Sequence, residues 1–300
     1  GLVGRVLFEN FGIPAYADMA SEFTDRSKLM RKGTLVAAIS QSGETADTLF
    51  AVREAKAAGA KVIAITNTVG STLTREADYV LYTHCGPEIG VASTKAFLGQ
   101  LAAIYMLAGH FAAARGILTA PDAKRYASDL LRVPRLIEDT LALEKDIAKI
   151  AQGFAASEHF LFISRHVNYP IALEGALKIK EISYVHAEGY PAGEMKHGPI
   201  AIIYKGMPLL AVAPSGRALE LMAGNIEEAR ARGADVVAIV DEDSRKRVKA
   251  NRYITLPKTG ELFTPLLTVI PLQMFAYYVA LAKKCDIDKP RNLAKSVTVR

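Results

Sequence analysis

Six small polar residues, Ser40-Gln41-Ser42-Gly43-Glu44-Thr45, separate the apolar run Val36 to Ile39 from an amphipathic stretch that opens near Leu49. A buried strand turning into a helix needs a cap, and Ser42 or Thr45, with Glu44 in the first turn, would serve as one. The density of donors exceeds that need. Hydroxyls from Ser40, Ser42 and Thr45, the Gln41 amide and the unpaired N–H groups of a helix start would hold a phosphate without an arginine. Gly43 would let the backbone come close to the anion. The loop has neither the lysine of a Walker loop nor the spacing of a dinucleotide fingerprint, so one phosphate on a small molecule fits better than a nucleotide.

Three further places carry reactive side chains. His197, in Lys196-His197-Gly198-Pro199, belongs to the residue type that titrates near neutrality and can both give and take a proton; the plainer reading is a surface histidine on a turn. Lys178 and Glu181 lie three apart in a helical pattern and so share a face. They read either as a proton-moving carboxylate with a lysine beside it or as a solvated salt bridge. Lys295, in Asn292-Leu293-Ala294-Lys295-Ser296, offers an amine able to form a Schiff base with a carbonyl, where composition alone would read a mobile basic terminus. His84, His110, His159 and His166 show no metal-ligand spacing, and His186 reads as structural. Cys85 and Cys285 stand far apart, which suits a reducing cytoplasm and argues against a disulfide framework.

These residues need a scaffold, and the pattern of the chain supplies one. LVAAIS (35–40), KVIAIT (61–66), YVLYT (79–83), HFLFIS (159–164), PLLAVA (208–213), DVVAIV (235–240) and RYITL (252–256) read as short buried strands. Helical patterns run over 49–58, 94–108, 169–185, 218–232 and 264–282. Continuous apolar strands alternating with helices indicate parallel sheets covered on both faces. The two halves overlay: Ser42-Gly43 falls on Ser215-Gly216, Glu22 on Glu194 and Ile65 on Ile239, so the register hardly drifts. A duplication on this scale means paired domains rather than a solenoid. The second copy of the loop, Ala213-Pro214-Ser215-Gly216-Arg217, has lost most hydroxyls and reads as a cap and turn, leaving one phosphate site per chain. The second half opens with HFLFISRHVNYP ahead of its first helix, whereas the first half opens inside the equivalent helix. A further strand and loop upstream of Gly1 are therefore expected.

The formal charge is +6 over 300 residues, with 50% hydrophobic residues and no tryptophan. The one basic cluster, Arg245-Lys246-Arg247-Val248-Lys249, lacks interleaved aromatics, so no nucleic-acid partner is expected. No uninterrupted apolar run reaches the roughly 20 residues of a membrane span, no signal peptide is legible, and the expected location is the cytoplasm.

The loop ISQSGETADTL resembles the phosphate loop of the sugar isomerase (SIS) fold. EIGVASTKAF (88–97), GALKIKEISYVHAEGYPAGEMKHGP (175–199) and PRNLAKSVTV (290–299) resemble the isomerase portion of the glutamine–fructose-6-phosphate aminotransferases, the glucosamine-6-phosphate synthases. The likeness runs over nearly the whole chain. It implies an α/β fold of two tandem SIS domains, each a mainly parallel sheet flanked by helices, related by duplication. The expected division is a first SIS domain at 1–118, truncated at its N-terminus, a helical connector at 119–152, a second SIS domain at 153–284 and an active-site tail at 285–300.

The resemblance also implies roles. His197 opens the sugar ring and reaches the neighbouring subunit of a homodimer. Glu181 is the base that moves a proton between C1 and C2, and Lys178 assists at the developing oxygen. Lys295 forms the imine with the open ketose. Ser40, Gln41, Ser42 and Thr45 hold the phosphate, and Glu88, Val91, Ala92, Ser93 and Ala294 line the sugar. The implied reaction takes fructose 6-phosphate and glutamine-derived ammonia to glucosamine 6-phosphate, the first step of amino-sugar biosynthesis. Glucose 6-phosphate is a further implied ligand, and a glutaminase domain of the parent chain is the implied partner. Neither metal nor organic cofactor is expected. Arg300 departs from the acidic residue expected to end the tail. Two rivals remain: a stand-alone sugar-phosphate isomerase or deaminase, and a non-catalytic sugar-phosphate sensor.

Overall fold

The computed structural model describes residues 1–299, so the expectation about Arg300 lies outside the described residues. The chain forms two compact units, Gly1–Leu118 with Arg291–Arg300, and Thr119–Pro290. The helices of the expected connector thus belong to the second unit, and the last residues belong to the first.

The first unit contains α1 (Leu2–Asn10), β1 (Leu35–Ser40), α2 (Ala46–Ala57), β2 (Lys61–Thr66), α3 (Thr72–Glu76), β3 (Tyr79–Tyr82) and α4 (Lys95–Ala114). The strands form a parallel sheet in the order β1-β2-β3, in a register that sets Ser40 beside Thr66. Period-two burial sends Ala38, Val62 and Ala64 toward Leu49, Val52 and Ala55 of α2. Helix α1 packs on α4, with Phe8 edge-on to Phe111 at 6.0 Å.

The second unit contains α5 (Ala120–Leu141), α6 (Glu144–Gln152), β4 (His159–Ser164), α7 (Tyr169–Ser183), β5 (His186–Pro191), β6 (Pro208–Val212), α8 (Leu219–Ala231), β7 (Asp235–Asp241), α9 (Glu242–Arg245), β8 (Arg252–Leu256) and α10 (Pro265–Ala282). Its sheet is parallel in the order β5-β4-β6-β7-β8. Leu161, Ile163, Leu209, Ala211, Val236, Ala238 and Val240 meet Met195, Met222 and Ile226 in one core. Helix α7 lies close against β4 and α10: a side chain at Gly175 would stand 2.8 Å from Leu272 and 2.9 Å from Phe162. Only glycine admits that approach, which fixes the helix carrying Lys178 and Glu181. The helix ends at Tyr184, in the left-handed region at φ 59°, two residues before β5 starts.

Strand β5 is one element that apolar patterning does not announce. HAEGYP holds one buried residue, Ala187, and pairs only with β4 at the sheet edge. The corresponding stretch of the first unit, near Pro14 to Met19, is not a strand; among the described residues of that unit no counterpart of β4 lies beside it. Two helices are long and apolar enough to cross a membrane by length and composition, α4 with mean hydropathy 1.4 and Glu261–Ala282 with 1.6. They escape a search for unbroken apolar runs because isolated polar residues punctuate both. Burial of 72% of the latter window inside the protein accounts for its apolar character.

Candidate functional site

Two clusters of the expected site residues are assembled, one in each unit. In the first, β1 delivers Ser40 to the carboxyl edge of the sheet, and the loop runs from there into α2, as ligand loops of parallel sheets do. The Ser40 hydroxyl lies 3.2 Å from that of Thr45 and accepts from the Gly43 amide at 3.1 Å. The Ser42 hydroxyl accepts from the Glu44 amide at 3.2 Å. Thr45 is the residue at the N-cap position of α2, yet its side chain caps nothing. The Ser40 and Ser42 hydroxyls thus brace the loop's own amides, Ser40 and Thr45 pair with each other, and no side chain caps α2. Glu44 turns away, its carboxylate accepting from the Thr72 amide at 2.7 Å. The Gln41 side chain is half-buried, while its carbonyl accepts from the Thr66 hydroxyl.

Gly43 is required by its backbone and by its neighbours within the unit. It takes a positive φ of 67°, and a side chain there would stand 2.2 Å from the Ser71 hydroxyl and 3.2 Å from that of Thr66. Ser71, the N-cap residue of α3, and Thr66 of β2 leave room only for glycine there.

The tail is docked on the same unit. Lys295 Nζ donates to Glu88 Oε2 at 2.6 Å and to the Gly90 carbonyl at 2.7 Å. Ser296 stands 3.0 Å from the Ser42 hydroxyl, and the Val297 carbonyl accepts from the Ala46 amide at 3.1 Å, at the N-terminus of α2. The Glu88 side chain is 4% exposed. Its carboxylate accepts from the Ser93 hydroxyl at 3.1 Å, the Thr94 amide at 2.8 Å and the Ala96 amide at 3.1 Å. Burial alone would push this carboxyl up; Lys295 and the two amides outweigh it and hold it below the usual carboxylate range. Val91, Ala92 and Ser93 are half-buried in the loop leading to α4, and Ala294 is exposed.

In the second unit, α7 lines up Glu174, Lys178 and Glu181. Lys178 Nζ lies 2.5 Å from Glu181 Oε2 and 3.3 Å from Glu174 Oε1, and its side chain is 4% exposed. The pair is therefore not the solvated salt bridge that spacing alone suggests. Burial pushes the Glu174 carboxyl up, Lys178 opposes the shift and Glu181 adds to it. Glu174 was not singled out from sequence, although its spacing of four before Lys178 put it on the same helical face. His197 stands exposed at the end of the 192–197 turn, with no hydrogen bond or ion pair among the described residues.

The second-unit copy of the loop differs. Asp241 accepts from the Ser215 amide at 2.7 Å and from its hydroxyl at 2.6 Å. Glu261 accepts from the Arg217 amide and guanidinium, each at 3.1 Å. Ser215 does not cap α8, whose N-cap position is Ala218 without a side-chain bond. Internal carboxylates thus take the donors of this loop, whereas in the first copy no carboxylate accepts from the hydroxyls of Ser40, Ser42 or Thr45 among the described residues. A cavity beside them is lined by Ser164, Arg165, His166, Ser215, Gly216 and Glu261.

Residues 2–109 and 153–283 each match the SIS domain family. The chain belongs to that family. The first match holds the loop 40–45 and Glu88, the second holds Glu174, Lys178 and Glu181, the tail with Lys295 lies outside both, and the duplication read from the overlay is the tandem pair. Over its full length the chain is 52% identical to a glutamine–fructose-6-phosphate aminotransferase (isomerizing) of Methanosarcina acetivorans, covering 49% of that protein. The chain spans about half the length of the curated relatives it matches. The C-terminal domain of the glucosamine-fructose-6-phosphate aminotransferase from Francisella tularensis superposes with a TM-score of 0.94 at 39% identity, over 97% of this chain and 83% of that one. A glucosamine-6-phosphate deaminase from Thermotoga maritima superposes with a TM-score of 0.79 at 25% identity, over 99% and 86%.

Proposed function

We propose that this pair of SIS domains converts fructose 6-phosphate and ammonia into glucosamine 6-phosphate and water. Ammonia is supplied by glutamine hydrolysis in a domain outside these 300 residues. The observation that carries the reading is the position of Lys295: a lysine near a chain end, ordinarily solvated, is docked beside Glu88 while its neighbour Ser296 touches the loop proposed to hold phosphate.

Ser40, Gln41, Ser42 and Thr45 hold the phosphate with neutral donors and the N-terminus of α2. His197 transfers the proton that opens the sugar ring, acting in the neighbouring copy of a homodimer. The Lys295 amine attacks C2 of the open ketose and water leaves, giving an imine. Ammonia then adds at C2 and displaces the lysine amine. Glu181 removes a proton from C1 and returns it to C2, with Lys178 stabilising the oxygen at C1 as charge develops there. The step is an isomerisation with no external oxidant or reductant.

Run in reverse, the same groups would deaminate glucosamine 6-phosphate. The similarity to the Thermotoga maritima deaminase favours that as the second reading. Incubation with fructose 6-phosphate and an ammonium salt, followed by product identification, tests the proposal: glucosamine 6-phosphate supports it. Release of ammonia from glucosamine 6-phosphate without measurable synthesis at high ammonium would select the deaminase.

A further inference from the structure

We infer that Glu88 is a positioning residue for Lys295 and for the tail that carries it, rather than a contact to the sugar. The inference deepens the proposed function, because it takes Lys295 as the imine-forming lysine. Every direction in which Glu88 could offer an oxygen is taken within its own unit. Oε1 accepts from the amides of Thr94 and Ala96, and Oε2 accepts from Ser93 and Lys295. Four donors fill the lone pairs of one carboxylate, and with 4% exposure the side chain has no open face for a sugar hydroxyl.

The geometry makes Glu88 a rigid anchor. Two of its donors are backbone amides at the start of α4, a 20-residue helix, so the carboxylate is fixed to a helix rather than to a loop. Lys295 has no such support of its own. Ala294 before it and Val297 two residues after it are exposed, and the tail is tied to the unit through Nζ, the Ser296 hydroxyl and the Val297 carbonyl. The pair with Glu88 and the adjacent Gly90 carbonyl are the contacts that set where the amine sits. A nucleophile held by a preorganised partner reaches its carbon more often than one on a free chain end.

The test reads the tail and the chemistry separately. Amide hydrogen exchange in the peptide 292–299 reports tail opening without substrate. Glu88→Gln and Lys295→Met should each speed that exchange about tenfold or more, and the double variant should add little to either, since both remove one buried charged contact. With fructose 6-phosphate and borohydride, Glu88→Gln should label Lys295 about tenfold more slowly than the unaltered chain while binding inorganic phosphate within about twofold of it. Unchanged tail exchange in either single variant overturns the inference. So does a loss of fructose 6-phosphate affinity in Glu88→Gln with phosphate affinity and tail exchange unchanged, the signature of a sugar contact. Lys295→Met leaves the Ser93, Thr94 and Ala96 bonds intact, so it tests the pair even where Glu88→Gln loosens α4. If the unaltered chain shows no labelling at all, the imine role of Lys295 fails, and the exchange measurements still decide the positioning role.

Discussion

The Ser42 hydroxyl lies 3.0 Å from that of Ser296, across 254 positions of sequence. It joins the loop at the end of β1 to the C-terminal tail. A group proposed to hold phosphate and the residue beside the proposed imine lysine are thus in direct contact. Ser296→Ala removes one neutral hydrogen bond, a contribution of about 0.5–1.5 kcal/mol. Exchange of the tail amides should rise by a factor between about 2 and 10, with the thermal midpoint of the chain unchanged. Unaltered exchange would mean that this contact does not hold the tail.

Thr45 contributes a hydroxyl that neither caps α2 nor pairs with backbone. Losing a neutral donor to a charged phosphate costs about 1.5–3 kcal/mol. Thr45→Ala should therefore weaken fructose 6-phosphate binding about tenfold or more by calorimetry. An unchanged dissociation constant would remove this loop from the phosphate site.

Each chain should bind one phosphosugar. In the second SIS domain, Asp241 and Glu261 occupy the loop donors from within. Calorimetric stoichiometry should be one per chain, and Ser215→Ala should lower the thermal midpoint while leaving fructose 6-phosphate affinity unchanged. A stoichiometry of two, with one site lost in Ser215→Ala, would show the second loop to be a ligand site.

Asp241 also gives a pH prediction with a definite sign. Burial would raise its carboxyl, but the Ser215 hydroxyl and the amides of Ser244, Ser215 and Asp243 prevail and hold it below the ordinary value of 3.8. A carboxyl depressed in the folded state contributes stability above its unfolded pKa and loses it as pH falls through the lower, folded value. The stability gap between the unaltered chain and Asp241→Asn should thus be full near pH 6 and shrink below pH 3.8. A gap that stays constant down to pH 2 would contradict the assignment.

How much of this was legible in the sequence depends on the kind of signal. LVAAIS, KVIAIT, HFLFIS and RYITL mark β1, β2, β4 and β8 to the residue; the inner strands β2 and β4 are buried nearly throughout and so read as apolar runs, and β1 and β8 still carry two buried apolar or small side chains each. HAEGYP did not mark β5, because it buries a single small side chain, Ala187, and carries no apolar run to read. The duplicated loop was visible as a repeat, and so was the loss of hydroxyls in its second copy, but the carboxylates that take its donors were not. Asp241 and Glu261 come from positions 26 and 44 residues beyond their partners, and no local spacing links them. Glu174 was within reach, since a helical face at spacings of four and seven from Lys178 and Glu181 names it. The seat of Lys295 was out of reach from composition or pattern: its carboxylate partner is 207 positions away, so only the fold brings them together.

The central claim is that Lys295 forms an imine with C2 of the open ketose, and borohydride trapping measures it most directly. After treatment with fructose 6-phosphate and borohydride, the peptide containing Lys295 should carry one added sugar-phosphate mass. Lys295→Arg keeps the charge but cannot form the imine, so it should still bind phosphate while losing both the label and amination. A label on another lysine, or amination by Lys295→Arg near the rate of the unaltered chain, would contradict the account and leave the tail as a lid alone.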